Sequence, residues 1–199
     1  MSDLALDANA ALHAKQLSGG SLGLDPIGVL ELLAGWGVRI VATQGVIVEQ
    51  NKLSLREHHG RWFAAGVLRS ERVRPQELKP FANAHHRLTP RPGDIDIGLL
   101  VLAKRLACPV YTHDSPATGW ARAAGILVVD VVDLAGFVIH RDEALTERVQ
   151  LGHQPLGARQ GIPRPGDWQG GLRETVAARP SSASTFARLD AWLPPSRTE

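Results

Sequence analysis

Five carboxylates sit where they could act together on one ligand. Asp7 follows the apolar run Leu4-Ala5-Leu6, and Asn9 follows it at two-residue spacing. Glu49 lies in VIVEQ, Asp94 and Asp96 in PGDIDIG, and Asp114 in YTHD. Carboxylates brought together repel, by ~1 kcal/mol per pair at about 4 Å in water and ~4 kcal/mol at an intermediate dielectric. A fold that gathers them needs a compensating cation, and a set of oxygen ligands alone suits Mg²⁺ or Mn²⁺. Each acid also has a plain structural use. Asp7 can cap a helix beginning near Ala8, and Asp94, after Pro-Gly, can cap the next long helix. Asp96 in a first turn favours the helix dipole. Asp114 precedes Ser115-Pro116, a helix start, and Glu49 can face solvent. Caps account for acids at helix starts but not for Glu49 within a helix.

The surrounding elements decide whether the five meet. Strands are expected at Asp3–Leu6, Val38–Ala42, Arg72–Arg74, Pro109–Thr112 and Ile126–Val131. Helices are expected at Ala8–Leu17, Pro26–Trp36, Gly45–Asn51, Ser54–Arg69, Asp94–Leu106 and Pro116–Ala124, with two more at Leu134–Ile139 and Asp142–Leu151. Leu55, Trp62, Phe63 and Val67 form the expected buried stripe of the fourth helix. Residues 76–92, with Pro80, Pro90 and Pro92, read as irregular. Strands alternating with helices imply an α/β fold, a parallel sheet between helical layers joined by right-handed crossovers. In such a sheet ligands bind beyond the carboxyl ends of the strands, where these acids are placed.

LALDANAAL, VIVEQ, GDIDIGLLVLAKRLACPVYTHD and ARAAGILVVDVVDL resemble the successive motifs of PIN-domain nucleases, over residues 3–151. The resemblance implies a three-layer α/β/α fold with a parallel sheet of four to five strands. It also implies a divalent metal and hydrolysis of RNA phosphodiester bonds. Residue by residue, Asp7, Glu49, Asp96 and Asp114 match its acidic catalytic site. Asp7, Asp96 and Asp114 are the implied metal ligands, with Asp94 an additional or substitute one. Asn9 and Thr112 match flanking polar positions and, with His113, are assigned to substrate. Many bacterial members are toxins of toxin–antitoxin pairs, so RNA, a small antitoxin protein and a second copy forming a homodimer are the implied partners. Two features depart from the pattern. No second acid follows shortly after Asp114, and the C-terminal extension has no counterpart.

Two other functions compete with the nuclease. One is a non-catalytic PIN-like RNA- or protein-binding module, which fits if Glu49 points away from the rim. The other is a Toprim-like Mg²⁺ enzyme, in which Asp94-Ile95-Asp96 forms a DxD motif at a strand end. Whether Asp96 opens a helix or ends a strand separates the nuclease from the Toprim-like enzyme.

Bulk properties narrow the field further. The chain has 199 residues, 44% hydrophobic and 21% charged, with net charge +2, too small to imply nucleic acid by itself. No apolar run reaches the ~20 residues of a membrane span, and the N-terminus does not read as a signal peptide. Cys108 is the only cysteine, so no intrachain disulfide forms, which fits the cytoplasm. No GxxxxGK loop is present, which argues against a P-loop NTPase. The pairs His58-His59 and His85-His86 lack zinc-site spacing and read as surface or RNA-contact residues. Residues 152–199 form an Arg-, Gly- and Pro-rich extension, with six arginines against four acids. It reads as an arm that docks on the domain or a partner. Ser184–Leu193 is a candidate amphipathic helix, and Trp168 a candidate base-stacking residue.

Overall fold

The computed structural model describes residues 2–11, 29–52, 56–145 and 182–193. The five strands are β1 (Ser2–Leu6), β2 (Val38–Thr43), β3 (Leu68–Glu71), β4 (Val110–Tyr111) and β5 (Val128–Val129). They form one all-parallel sheet in the order β3-β2-β1-β4-β5. Residues 8–11 are helical. The further helices are α1 (Val29–Gly35), α2 (Gln44–Lys52), α3 (Arg56–Ala64), α4 (Pro75–His85), α5 (Asp94–Leu106), α6 (Ser115–Ala123), α7 (Val131–Arg141) and α8 (Ser182–Trp192). A 3₁₀ turn occupies Glu143–Leu145.

Leu4, Ala5 and Leu6 are consecutive and all fully buried. Because neighbouring strand residues point to opposite faces, the central strand must be covered on both, as parallel sheets require. α5 packs on β1, β2 and β4, flanked by α2, α4 and α6. α7 packs on β5 with α1 and α8 beside it. This is an α/β fold with a five-stranded parallel sheet, consistent with three α/β/α layers.

Several expectations need correction. The third strand is Leu68–Glu71, not Arg72–Arg74, and α3 ends at Ala64. Gly66, at φ 69°, turns the chain in a conformation that costs glycine nothing, so Val67 and Leu68 enter the sheet side instead of continuing the helix. Phe63 is exposed rather than part of the buried stripe. Residues 75–85 are helical, not irregular. Pro75 stands at the first helical position, where its missing N–H is harmless, and Glu77 Oε2 accepts from Arg74 N at 2.7 Å to secure the start. The helix expected at Leu134–Ile139 is the longer α7, started by Asp130. Of the helix expected at Asp142–Leu151, residues 143–145 form a 3₁₀ turn, and the rest lies outside the described residues.

The C-terminal helix α8 packs against the core through one face. Leu189 and Leu193 are buried, and Phe186 meets Phe137 with ring centroids 6.1 Å apart. Trp192 Nε1 donates to Asp3 O at 3.0 Å, and Arg141 pairs with Asp190 at 3.0 Å. Trp168, residues 12–17 and 146–151, the side chains of His58 and His59, and all the extension's arginines except Arg188 lie outside the described residues. No helix among the described residues is long and apolar enough to cross a membrane.

Candidate active site

The chain runs from β1 outward through β2 to β3, then crosses back to place β4 and β5 on the other side of β1. The connections at the carboxyl ends of β1 and β4 therefore diverge and leave a crevice, the usual ligand position in open parallel sheets. Leu6 pairs with Tyr111, and Asp7 N donates to Tyr111 O at 3.0 Å, carrying the ladder one step past β1. Asp7 and Thr112 thus leave the sheet side by side.

Asp7 is 3% exposed. Its Oδ1 accepts from Ala8 N at 2.6 Å, and its Oδ2 accepts from the Thr112 hydroxyl at 3.0 Å. A capping side chain bonds the second or third helical N–H, which here would be Asn9 or Ala10. Asp7 takes the first instead, so capping does not explain its position. The Thr112 oxygen in turn accepts from Asp114 N at 3.1 Å. Asp114 is the N-cap of α6, with Oδ1 accepting from Ala117 N at 2.7 Å. Capping and a place in the site coexist here, because the bond to Ala117 uses only one carboxylate oxygen.

Asp96 lies in the first turn of α5, where its Oδ2 accepts from Gly93 N at 3.1 Å. It opens a helix rather than ending a strand, which removes the arrangement the Toprim-like reading required. Glu49 is half-buried on α2. α2 approaches α5 closely at Gly45, where an added Cβ would stand 3.3 Å from Ile95 Cγ1. On the same two helices the charge of Glu49 acts on Asp96.

Electrostatics tie these four acids together. Burial pushes the Asp7 carboxyl up to about 6, and repulsion from Asp96 and Asp114 adds to the shift. The Ala8 N–H and the Thr112 hydroxyl oppose it. The Asp96 carboxyl is raised by burial, then by Asp114 and Glu49, against the Gly93 N–H. The principal charges acting on both residues are carboxylates, which is the environment a cation relieves.

The structure does not bring Asp94 into this group. Its side chain is exposed and pairs with Arg91 at 2.8 Å. Asn9 is exposed on the helical turn after Asp7. His113 is half-buried, its ring edge-on to Tyr111 at 5.7 Å. Thr112 is buried behind Asp7 and fully engaged, so it positions carboxylates instead of facing a substrate. His85 Nδ1 lies 2.9 Å from Phe81 O, with its ring against Phe81 and Trp120, and His86 is exposed beside it.

One site residue escaped the sequence reasoning. Gln50 is fully buried, its Nε2 donates to Asp7 O at 3.5 Å, and its Oε1 has no hydrogen-bond partner among the described residues. The signal was present. Val46, Ile47 and Gln50 share the inward face of α2, so periodicity marks Gln50 as buried.

Among the described residues no three acids, histidines or cysteines converge closely enough to hold a metal ion by themselves. Mg²⁺ seldom needs that, because it retains several waters and is held by one or two carboxylates with substrate phosphate. Four carboxylates linked by their charges, one of them the buried Asp7, fit such a cation. No protein-family model, curated protein or solved structure matches the chain.

Proposed function

We propose that this protein is a Mg²⁺- or Mn²⁺-dependent endoribonuclease with a PIN-like site, acting in the cytoplasm. The observation that supports it most is the placement of Asp7. It lies at the crevice between β1 and β4, is joined through Thr112 to the backbone of Asp114, and is acted on by the charges of Asp96 and Asp114. The strand count and parallel direction are those the PIN resemblance implies.

A bound divalent cation supplies charge neutralisation at the phosphate and acidifies a water nucleophile. Asp7, Asp96 and Asp114 would hold it in part through the waters it retains, with the substrate phosphate completing its ligands. Thr112 keeps the Asp7 carboxylate oriented, and Gln50 fixes the backbone at the same residue. Glu49, whose charge acts on Asp96, would accept a proton from the attacking water. Asn9 and His113 stand at the rim, where the RNA strand passes. RNA, a small antitoxin protein and a second copy of the chain are the partners this reading implies.

The test is incubation of the protein with total RNA in Mn²⁺ or in EDTA. Cleavage in Mn²⁺, abolished by EDTA, is expected. RNA retention without cleavage in Mn²⁺ would instead favour the binding module.

A further inference from the structure

A groove of about 610 Å³ opens beside the acids, at the carboxyl ends of β2 and β3 and between α2 and α5. Its volume falls within the ~300–1,000 Å³ of small-molecule sites. None of Asp7, Glu49, Asp96 or Asp114 lines it. It nevertheless shares both helices with them. Gln44 and Gly45 at the start of α2 line the groove, with Glu49 further along the same helix, and Asp94 and Ile95 line it just before Asp96.

We propose that this groove binds one nucleotide of the RNA strand, adjacent to the phosphate at the acid site, and selects its base. The inference rests on the nuclease reading. Three observations point to a nucleotide. Val73, Leu78 and Ile95 give apolar walls suited to the face of a base. Gln44 Oε1 accepts from the Ser70 hydroxyl at 3.3 Å, which leaves the Gln44 amide N–H groups and the Ser70 oxygen for a base edge. Gln reads an adenine edge by donating to N7 and accepting from the N6 amino group, for which the second lone pair of Gln44 Oε1 stays free. The third observation is charge. Glu71 shares Arg105 with Glu77, at 3.8 and 3.1 Å, and Asp94 pairs with Arg91 at 2.8 Å. Arg72 is exposed and forms no ion pair among the described residues, so it is available for a phosphate. A peptide would use the apolar walls, but an unpaired arginine beside an amide–hydroxyl pair matches a nucleotide better.

The experiment titrates the full chain, in EDTA, with the 5′-monophosphates of adenosine, guanosine, cytidine and uridine, and follows backbone amide NMR shifts. One saturable site is expected, with dissociation constants on the order of 1 mM and shifts at Ser70, Val73 and Gly98. The four bases should bind unequally. Arg72→Ala should weaken all four about tenfold, as loss of a phosphate contact does, and Gln44→Ala should narrow the ranking among bases. The inference is overturned if no nucleotide saturates, if the shifts fall elsewhere, or if both variants bind like the parent. Cleavage of RNA in Mn²⁺ by the same preparation separates the two claims. Binding without cleavage removes the nuclease reading and leaves the groove. Cleavage without nucleotide binding removes the groove and leaves the nuclease.

Discussion

The Thr112 hydroxyl donates to Asp7 Oδ2 at 3.0 Å, across residues 105 positions apart in the chain. The same oxygen accepts from Asp114 N at 3.1 Å, so one short side chain joins the ends of β1 and β4 to the start of α6. Asp7 is buried, and this hydroxyl, with the Ala8 N–H, lowers its pKa. The orientation of the central carboxylate therefore depends on Thr112.

Thr112→Val preserves shape and removes the donor. A hydrogen bond to a charged group contributes about 1.5–3 kcal/mol, so stability at pH 7 should fall by roughly that amount. The Asp7 carboxyl should titrate still higher than about 6, and Thr112→Ser should restore both properties. NMR titration of the Asp7 carboxyl, alongside denaturant unfolding, checks this.

Asp7→Asn should stabilise the metal-free protein, and the gain should depend on pH. The folded-state pKa of about 6 lies above the ordinary aspartate value of 3.8. The favourable protonated form is thus fully present below about pH 4, and its stability is lost as pH rises to about 6. At 1.36 kcal/mol per unit the loss at pH 7 is on the order of 3 kcal/mol. Part of it returns as an altered bond with Thr112. Melting curves should place the variant roughly 5 °C above the parent at pH 7 and level with it near pH 4. A gap that widens on acidification would contradict the assignment.

Mn²⁺ should raise the melting temperature of the parent, because a ligand that binds only the folded form stabilises it by about 2.7 kcal/mol at roughly a hundredfold excess over Kd. The rise should shrink at pH 5, where protons compete for Asp7, and should largely disappear in Asp7→Asn and in Asp114→Asn. Differential scanning fluorimetry in EDTA and in Mn²⁺ reads all three. An equal rise in parent and variants would place the metal elsewhere.

Leu189→Ala should destabilise the domain by about 2–5 kcal/mol, the usual cost of such a truncation at a fully buried site. Arg188→Ala, one residue away and exposed, should change stability by less than about 0.5 kcal/mol. Urea unfolding of the two variants distinguishes a helix that completes the core from one that only rests on it.

The acid site was legible where local signals agree. Asp94–Leu106 matches α5 residue for residue, because Pro92-Gly93 sets its start and its apolar residues run unbroken to the last turn. Asp7 and Asp114 were placed by the strands that precede them. The failures came where a local signal has two meanings. Pro80 reads as a breaker, yet it costs a single backbone bond within α4. Val67 fits a helical stripe as well as a strand entry, and only Gly66 separates the two. Asp94 and Asp96 share a helix start, but one meets Arg91 in solvent and the other faces the acids. Sequence spacing does not encode that difference, because it depends on where α2 and α6 end up.

The most direct test of the account is the pH dependence of RNA cleavage at Mn²⁺ well below saturation, where the rate follows ionisation of the metal-free site. The parent should gain about tenfold per pH unit at low pH and level off above about 6, where Asp7 is ionised. Asp7→Asn should remain at background throughout. Cleavage by Asp7→Asn at the parental rate, or a parental profile flat from pH 4.5 to 7.5, would contradict an Asp7-centred metal nuclease.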